Sequence, residues 1–256
     1  MPPSVMEMRE LADLDPSMSM SRTVEVLNKA LDTIPYQEGQ ALSLSGDQAS
    51  ILDLVDSKID EAEGYFDRPV DEPEIYVRLV DIGRAAGRED LVTKFGRRTA
   101  EIESADLEFR ARLKAFFGAT SQAVELFQRA VDLTPEFQEA VDGLGRAERR
   151  VAKSERSIDK LAGKASASGG SAKAWIDLGQ AQADLDDLDG ALTSFTRAVE
   201  LAPTDLAALC KKGGALAALG RTGEARECYE AALAIDGKSL NGKRGLNYTT
   251  WLLERQ

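Results

Sequence analysis

A chain of 256 residues, 43% hydrophobic and 30% charged, can bury a substantial core, and with no run of 18 apolar residues it carries no expected membrane span. It contains no histidine and only two cysteines, Cys210 and Cys228, which removes the commonest general base and fits neither a disulfide framework nor a zinc site. The net charge of −12 argues against nucleic acid as a partner.

Residues 1–20 are rich in Met, Pro, Ser and acid and are expected to be disordered. Glu7, Glu10, Asp13 and Asp15 stand where a secretory signal needs basic residues, so a cytoplasmic location is expected. Residues 21–68 read as a separate acidic helical segment. It comprises a helix from Ser21 or Arg22 to Ile34, a short helix after Pro35, and a helix through Phe66 with Asp47 as its N-cap. On the last of these Ile51, Leu52, Val55, Ile59, Ala62 and Phe66 make an apolar stripe, and Pro69 and Pro73 close it. Residues 72–103 read as a helix pair broken at Gly87, with Ile75, Leu79 and Ile82 on the first helix and Leu91 and Phe95 on the second.

From residue 104 the chain repeats itself at a 34-residue shift. Leu107, Val141, Trp175 and Leu209 fall in one column; Ala123, Ser157, Ala191 and Ala225 in another; Phe127, Leu161, Phe195 and Tyr229 in a third. Further columns hold Ala130, Lys164, Ala198 and Ala232, and Pro135, Gly169, Pro203 and Gly237. A fixed period of this length denotes stacked supersecondary units, here 104–137, 138–171, 172–205 and 206–239, each burying an apolar face on its neighbours. Alanines at 191, 198, 225 and 232 allow close helix approach, and Phe127, Phe195 and Tyr229 fill the space between, so all are expected in the core. The unit 138–171 is degenerate, with Ser157 and Lys164 at small-apolar positions. It is readable as a hairpin or as one long helix over 137–164, since no Gly or Pro marks a turn; the persistence of the register favours the hairpin. Ser-Ala-Ser-Gly-Gly-Ser at 166–171 reads as a mobile turn, and 240–256 as a C-terminal capping helix.

Trp175, Leu178, Gly179, Ala191, Phe195, Ala198 and Pro203 stand at the signature spacing of the tetratricopeptide repeat family, which the chain resembles. The resemblance implies an all-α, right-handed superhelical solenoid of antiparallel helix pairs over 72–239, here joined to an additional N-terminal helical segment. It departs from the pattern at Arg110 and Ala111, at Lys212 and at Gly237. The resemblance also implies a concave groove for a peptide or partner helix. Its candidate lining is Arg112, Asp142, Arg146, Arg149, Lys173, Ile176, Gln180, Ala183, Asp184, Ala207, Cys210, Gly214 and Ala217. Asp142, Arg146 and Asp177 replace the family's clamp for acidic carboxyl termini, so a segment combining acid with bulky apolar residues is the better expected complement.

Charge is unevenly spread: residues 1–70 hold 14 acidic and 5 basic side chains, whereas 104–171 hold 10 and 11. Arg146, Arg149, Arg150, Lys153, Arg156, Lys160 and Lys164 concentrate positive charge on the degenerate unit. Other motifs carry little. Ala232–Ser239 mimics a phosphate loop but continues a repeat helix, the Asp184–Asp189 acids lack the calcium-loop positions, and no Gly-x-Ser-x-Gly elbow exists. The expectation is a non-catalytic scaffold or adaptor without cofactor or metal, binding another protein rather than membrane or nucleic acid. The alternative is a sensor whose acidic N-terminal helices occlude its own groove. Leu246, Tyr248, Trp251, Leu252 and Leu253 spread round more than one face of the last helix, which motivates self-association there.

Overall fold

The computed structural model describes residues 9–255 apart from 16–18, 39, 68, 71 and 168–169. The disorder expected for 1–20 therefore lies in part outside the described residues. Within them the elements are helices, without a strand: α1 (Met20–Leu31), α2 (Gly46–Phe66), α3 (Glu74–Ala86), α4 (Glu89–Phe117), α5 (Thr120–Leu133), α6 (Gln138–Ser166), α7 (Ala172–Asp184), α8 (Leu188–Leu201), α9 (Leu206–Ala218), α10 (Thr222–Ile235) and α11 (Leu240–Leu253). The fold is all-α and repeat-built. Two compact units divide within α4, the first ending at Ile102 and the second beginning at Glu103.

In the first unit Leu27, Leu31, Ile51, Leu52, Ile75, Tyr76 and Phe95 form one core. Leu11 and Leu14 join it at 0% and 5% exposure, so residues 9–15, expected to be disordered, are held by burial of two leucines. Ser19 caps α1, and α2 starts from a capping box between Ser45 and Gln48 rather than from Asp47. Among the described residues between Pro35 and Ser45 there is no helix. The acids of α2 are answered inside this unit: Arg88 lies 2.9 Å from Asp53, Lys94 reaches 2.5 Å from Asp56 and 2.7 Å from Asp60, and Arg98 pairs with Glu63. Tyr76, fully buried, donates to Glu63 and accepts the Val70 amide at 2.6 Å; burial raises its phenol well above the usual range.

The second unit carries the 34-residue periodicity, with two departures. The second helix of the 72–103 pair and the first of the next unit are one 29-residue helix, α4. The hairpin favoured for 138–171 is likewise one 29-residue helix, α6. The physical reason for the second is local. Where a repeat turns between its helices, Gly118, Asp186 and Gly220 adopt φ of 98°, 68° and 76°. Ala152 occupies that column, and alanine pays a steric cost for left-handed backbone, so the helix continues.

Each repeat aromatic rests on small residues 16 positions away. A Cβ added to Gly143 would lie 2.3 Å from the Phe127 ring, one on Gly179 2.7 Å from Phe195, and one on Gly245 2.3 Å from Tyr229. Gly143→Val and Gly245→Val should each cost about 2 kcal/mol by overpacking, read as a lowered urea midpoint at unchanged m. Gly223→Ala, with open space around its Cβ, is the control and should stabilise by a few tenths of a kcal/mol or not at all.

Candidate functional site

The first helices of the last units, α7, α9 and α11, present their inner faces to one region of the second unit. That region is filled from within. A Cβ on Gly118 would meet Ala183 of α7 at 3.3 Å, a Cβ on Gly214 of α9 would meet the Phe117 carbonyl oxygen at 3.3 Å, and the Phe117 ring lies 4.5 Å from Tyr248 of α11. Phe117 is 7% exposed and packs with Leu216, Ala225 and Tyr229. The α4–α5 corner therefore occupies the face on which a groove was expected.

Beneath the corner lies a buried carboxylate. Asp184, 2% exposed at the end of α7, accepts from Thr120 Oγ1 at 2.7 Å and Gln180 Nε2 at 3.0 Å on one oxygen, and from Ser154 Oγ at 3.0 Å on the other. Arg150 Nε stands 2.8 Å from the first oxygen. Ser121 Oγ adds a bond to the Asp184 carbonyl at 2.8 Å, so the start of α5 is stitched to the end of α7. Three neutral donors and one cation satisfy a charge that burial alone would not tolerate.

Two clefts flank this network. One, of about 290 Å³, is lined by Phe117, Arg150, Gln180, Ala183, Ala207, Cys210, Lys211 and Gly214. Lys211 donates to the Gln180 amide oxygen; burial, with Arg150 nearby, holds its ammonium below the ordinary lysine value. With Asp184 matched against Arg150, the cleft keeps one positive charge in excess. Burial raises the Cys210 and Cys228 thiols, so neither is primed as a thiolate. The other cleft, of about 470 Å³, has a floor of Ala115, Phe116, Phe127, Gly143 and Ala147 and a rim of Arg112, Arg146 and Arg150. Phe116 is 39% exposed there, an aromatic side chain left open beside three guanidinium groups.

The depressed Lys211 value fixes the sign of a pH effect. Unfolding takes up protons between the lowered folded value and the unfolded one near 10.4, so the penalty for burying the ammonium is full below that window and gone above it. Lys211→Met should raise unfolding free energy by about 1 kcal/mol at neutral pH. Its advantage over the parent should vanish in the window's upper part, as followed by urea unfolding at stepped pH.

Of the residues expected on the groove, Gln180, Ala183, Ala207, Cys210 and Gly214 line the first cleft, and Arg112 and Arg146 the second. Asp142 and Arg149 are exposed on α6, Asp142 accepting from Gln138 at 2.9 Å. Lys173 is exposed 3.6 Å from Asp177. Ile176 is instead buried between helices with Ala198 and Ala208, Asp184 is buried in its network, and Ala217 packs in the Phe117 cluster. On α11, Leu246 and Tyr248 join that cluster, Leu252 and Leu253 are half-buried, and Trp251 is 47% exposed under the Arg255 guanidinium at 4.3 Å. Phe116, Phe117, Arg150 and Lys211 were missing from the expected lining. The legible signal was Phe-Phe-Gly at 116–118: adjacent residues of a helix cannot share one face, so one phenylalanine had to find a second surface.

The sequence profile of the tetratricopeptide repeat matches residues 143–206 and 176–239. No curated protein sequence matches the chain significantly. Among solved structures, YrrB, described as a TPR protein with an unusual peptide-binding site, is 22% identical, with 57% of this chain and 75% of that one covered at a TM-score of 0.38. MamA from Desulfovibrio magneticus RS-1 is 14% identical over 86% and 97% of the two chains at 0.33, and the TPR2AB domain of yeast Sti1 in complex with pHSP90 is 13% identical over 80% and 92% at 0.33. Within the described residues no helix is long and apolar enough to cross a membrane, and no cluster of potential metal ligands occurs. The 34-residue columns, the aromatic-on-glycine packing and the matched profile agree, and residues 143–239 of this chain are built of tetratricopeptide repeats.

Proposed function

We propose that the protein is a non-catalytic, cytoplasmic scaffold or adaptor whose second unit binds a short acidic-apolar segment of another protein in the cleft between the α4 end and α6. The carrying observation is the exposed Phe116 beneath Arg112 and Arg146, a pair one repeat apart. An apolar floor with a cationic rim suits a bulky side chain flanked by carboxylates. The short peptide should bind at roughly micromolar affinity, about 8 kcal/mol. The test is fluorescence anisotropy with a synthetic peptide of alternating Glu and Leu/Phe. Phe116→Ala with Arg112→Glu should weaken binding about tenfold or more, since each anchor at such a site is worth a kcal/mol or more. Unchanged affinity in a folded variant would remove the cleft from the function.

A second reading, self-occlusion, is favoured by Phe117 on the inner face of α7, α9 and α11. Its occluding element is the α4–α5 corner. The acids of α2 already have partners in their own unit, which speaks against the N-terminal helices in that role. Self-association through Trp251 belongs to the same proposal, and sedimentation at high concentration tests it; a Trp251→Ala variant should then lose any dimer.

A further inference from the structure

Six basic residues of α6, Arg146, Arg149, Lys153, Arg156, Lys160 and Lys164, follow one another at intervals of three or four. At 100° per residue they fall within an arc of about 80°, and at 1.5 Å per residue the row is about 27 Å long. All six are exposed. The helix turns Ala140, Gly143, Ala147, Ser154 and Ala165 into the protein on another side, and Glu148, Glu155 and Asp159 lie on a third. Segregation of this kind leaves five of the six without a carboxylate four residues away on the helix; the sixth, Arg146, follows Asp142, which accepts from Gln138. Among the described residues the only ion pair made by α6 is that of Arg150, which is not in the row, with Asp184. In the first unit, by contrast, Arg22, Arg78, Arg88, Lys94 and Arg98 all have carboxylate partners. A row of like charges on one face raises the energy of the free helix and is relieved by an opposed row.

We infer that this row is a docking surface for an acidic helix of another protein, laid along α6 from Arg146 to Lys164. The spacing selects a helix. Carboxylates at i, i+3/4 and i+7 of a partner helix advance at about 5.4 Å per turn, matching five steps over the 27 Å row. An extended segment presents same-face residues every 6.6 Å or so, and would run about one full step out of register by the end. Polyphosphate is disfavoured because the whole chain carries −12. The row shares only Arg146 with the cleft, so the distal four residues test it independently of the peptide reading.

The experiment uses the full chain and a synthetic peptide of about 20 residues with Glu at three- and four-residue spacing on one face of an Ala-Lys-Gln helix. Its companion has the same composition with one central proline, which breaks the helix and keeps the charge. Anisotropy is read at low and at physiological salt. Lys153→Glu, Arg156→Glu, Lys160→Glu and Lys164→Glu together should weaken the helical peptide about tenfold or more, while circular dichroism shows the variant folded. The proline peptide should bind several-fold more weakly to the parent. Equal binding by the charge-reversed variant, equal binding of the two peptides, or tighter binding of a DNA duplex or of phosphatidylserine vesicles would each overturn the inference. A Phe116→Ala variant should leave this binding unchanged, so failure here and failure of the cleft are read separately.

Discussion

Asp184→Ala is expected to lower the unfolding free energy by about 3 kcal/mol, the largest effect of any single polar substitution in the second unit. The carboxylate is 2% exposed and serves Thr120, Ser154, Gln180 and Arg150 together. Removing it strands three neutral donors and one cation. The figure sits at the lower end for a broken buried pair because the Arg150 side chain, 37% exposed, can turn to water. Asp184→Asn, which keeps an acceptor oxygen of similar shape, should cost less, since Thr120 and Ser154 retain one partner between them. Urea unfolding of the parent, Asp184→Ala, Arg150→Ala and the Asp184→Ala, Arg150→Ala double variant gives the coupling of the pair by a double-mutant cycle. A loss below about 1 kcal/mol for Asp184→Ala would mean that water replaces the carboxylate, and that the network is a solvated surface feature rather than the tie between α5 and α7.

Phe117→Ala should cost about 3 kcal/mol through the cavity it leaves among Leu216, Ala225, Tyr229 and Tyr248. Its neighbour Phe116, 39% exposed, is the internal control, and Phe116→Ala should cost well under half as much. The pair separates packing from function, because Phe117 fills the inner face of α7, α9 and α11 while Phe116 faces the open cleft. Emptying the Phe117 position should also speed thiol labelling of Cys210, which lines the first cleft and whose thiol burial now holds above its usual value. Faster labelling together with tighter peptide binding would support the self-occlusion reading. Faster labelling without it would make Phe117 a core residue only.

Much of the architecture was legible in the sequence. Ala191, Phe195 and Ala198, and their equivalents one repeat on, form the interhelical core at 0–2% exposure, because short-range periodicity dictates which face of a helix is apolar. The basic row of α6 is likewise read from spacing alone. Element boundaries were less secure. Ser45 rather than Asp47 caps α2, since the serine alone has Gln48 three residues on to close a capping box. The continuity of α6 was open in the sequence, where the surviving register favoured a turn; Ala152 in a column of left-handed residues decided against it.

The sequence by itself determined the repeat, the all-helical class, the alternation of aromatic and small residues at the helix contacts, and the charge on α6, because each is a property of residues within one or two turns of one another. Only the tertiary structure decided what lies against the inner faces of α7, α9 and α11. Ile176 and Asp184 are drawn into packing, Lys211 enters the cleft, and the Phe117–Gly118 corner meets residues from Ala183, 65 positions on from Gly118, to Tyr248, 131 positions on from Phe117. Contacts at such separation depend on how an unbroken α6 returns the chain on itself, and no local periodicity encodes the partner of a side chain that distant.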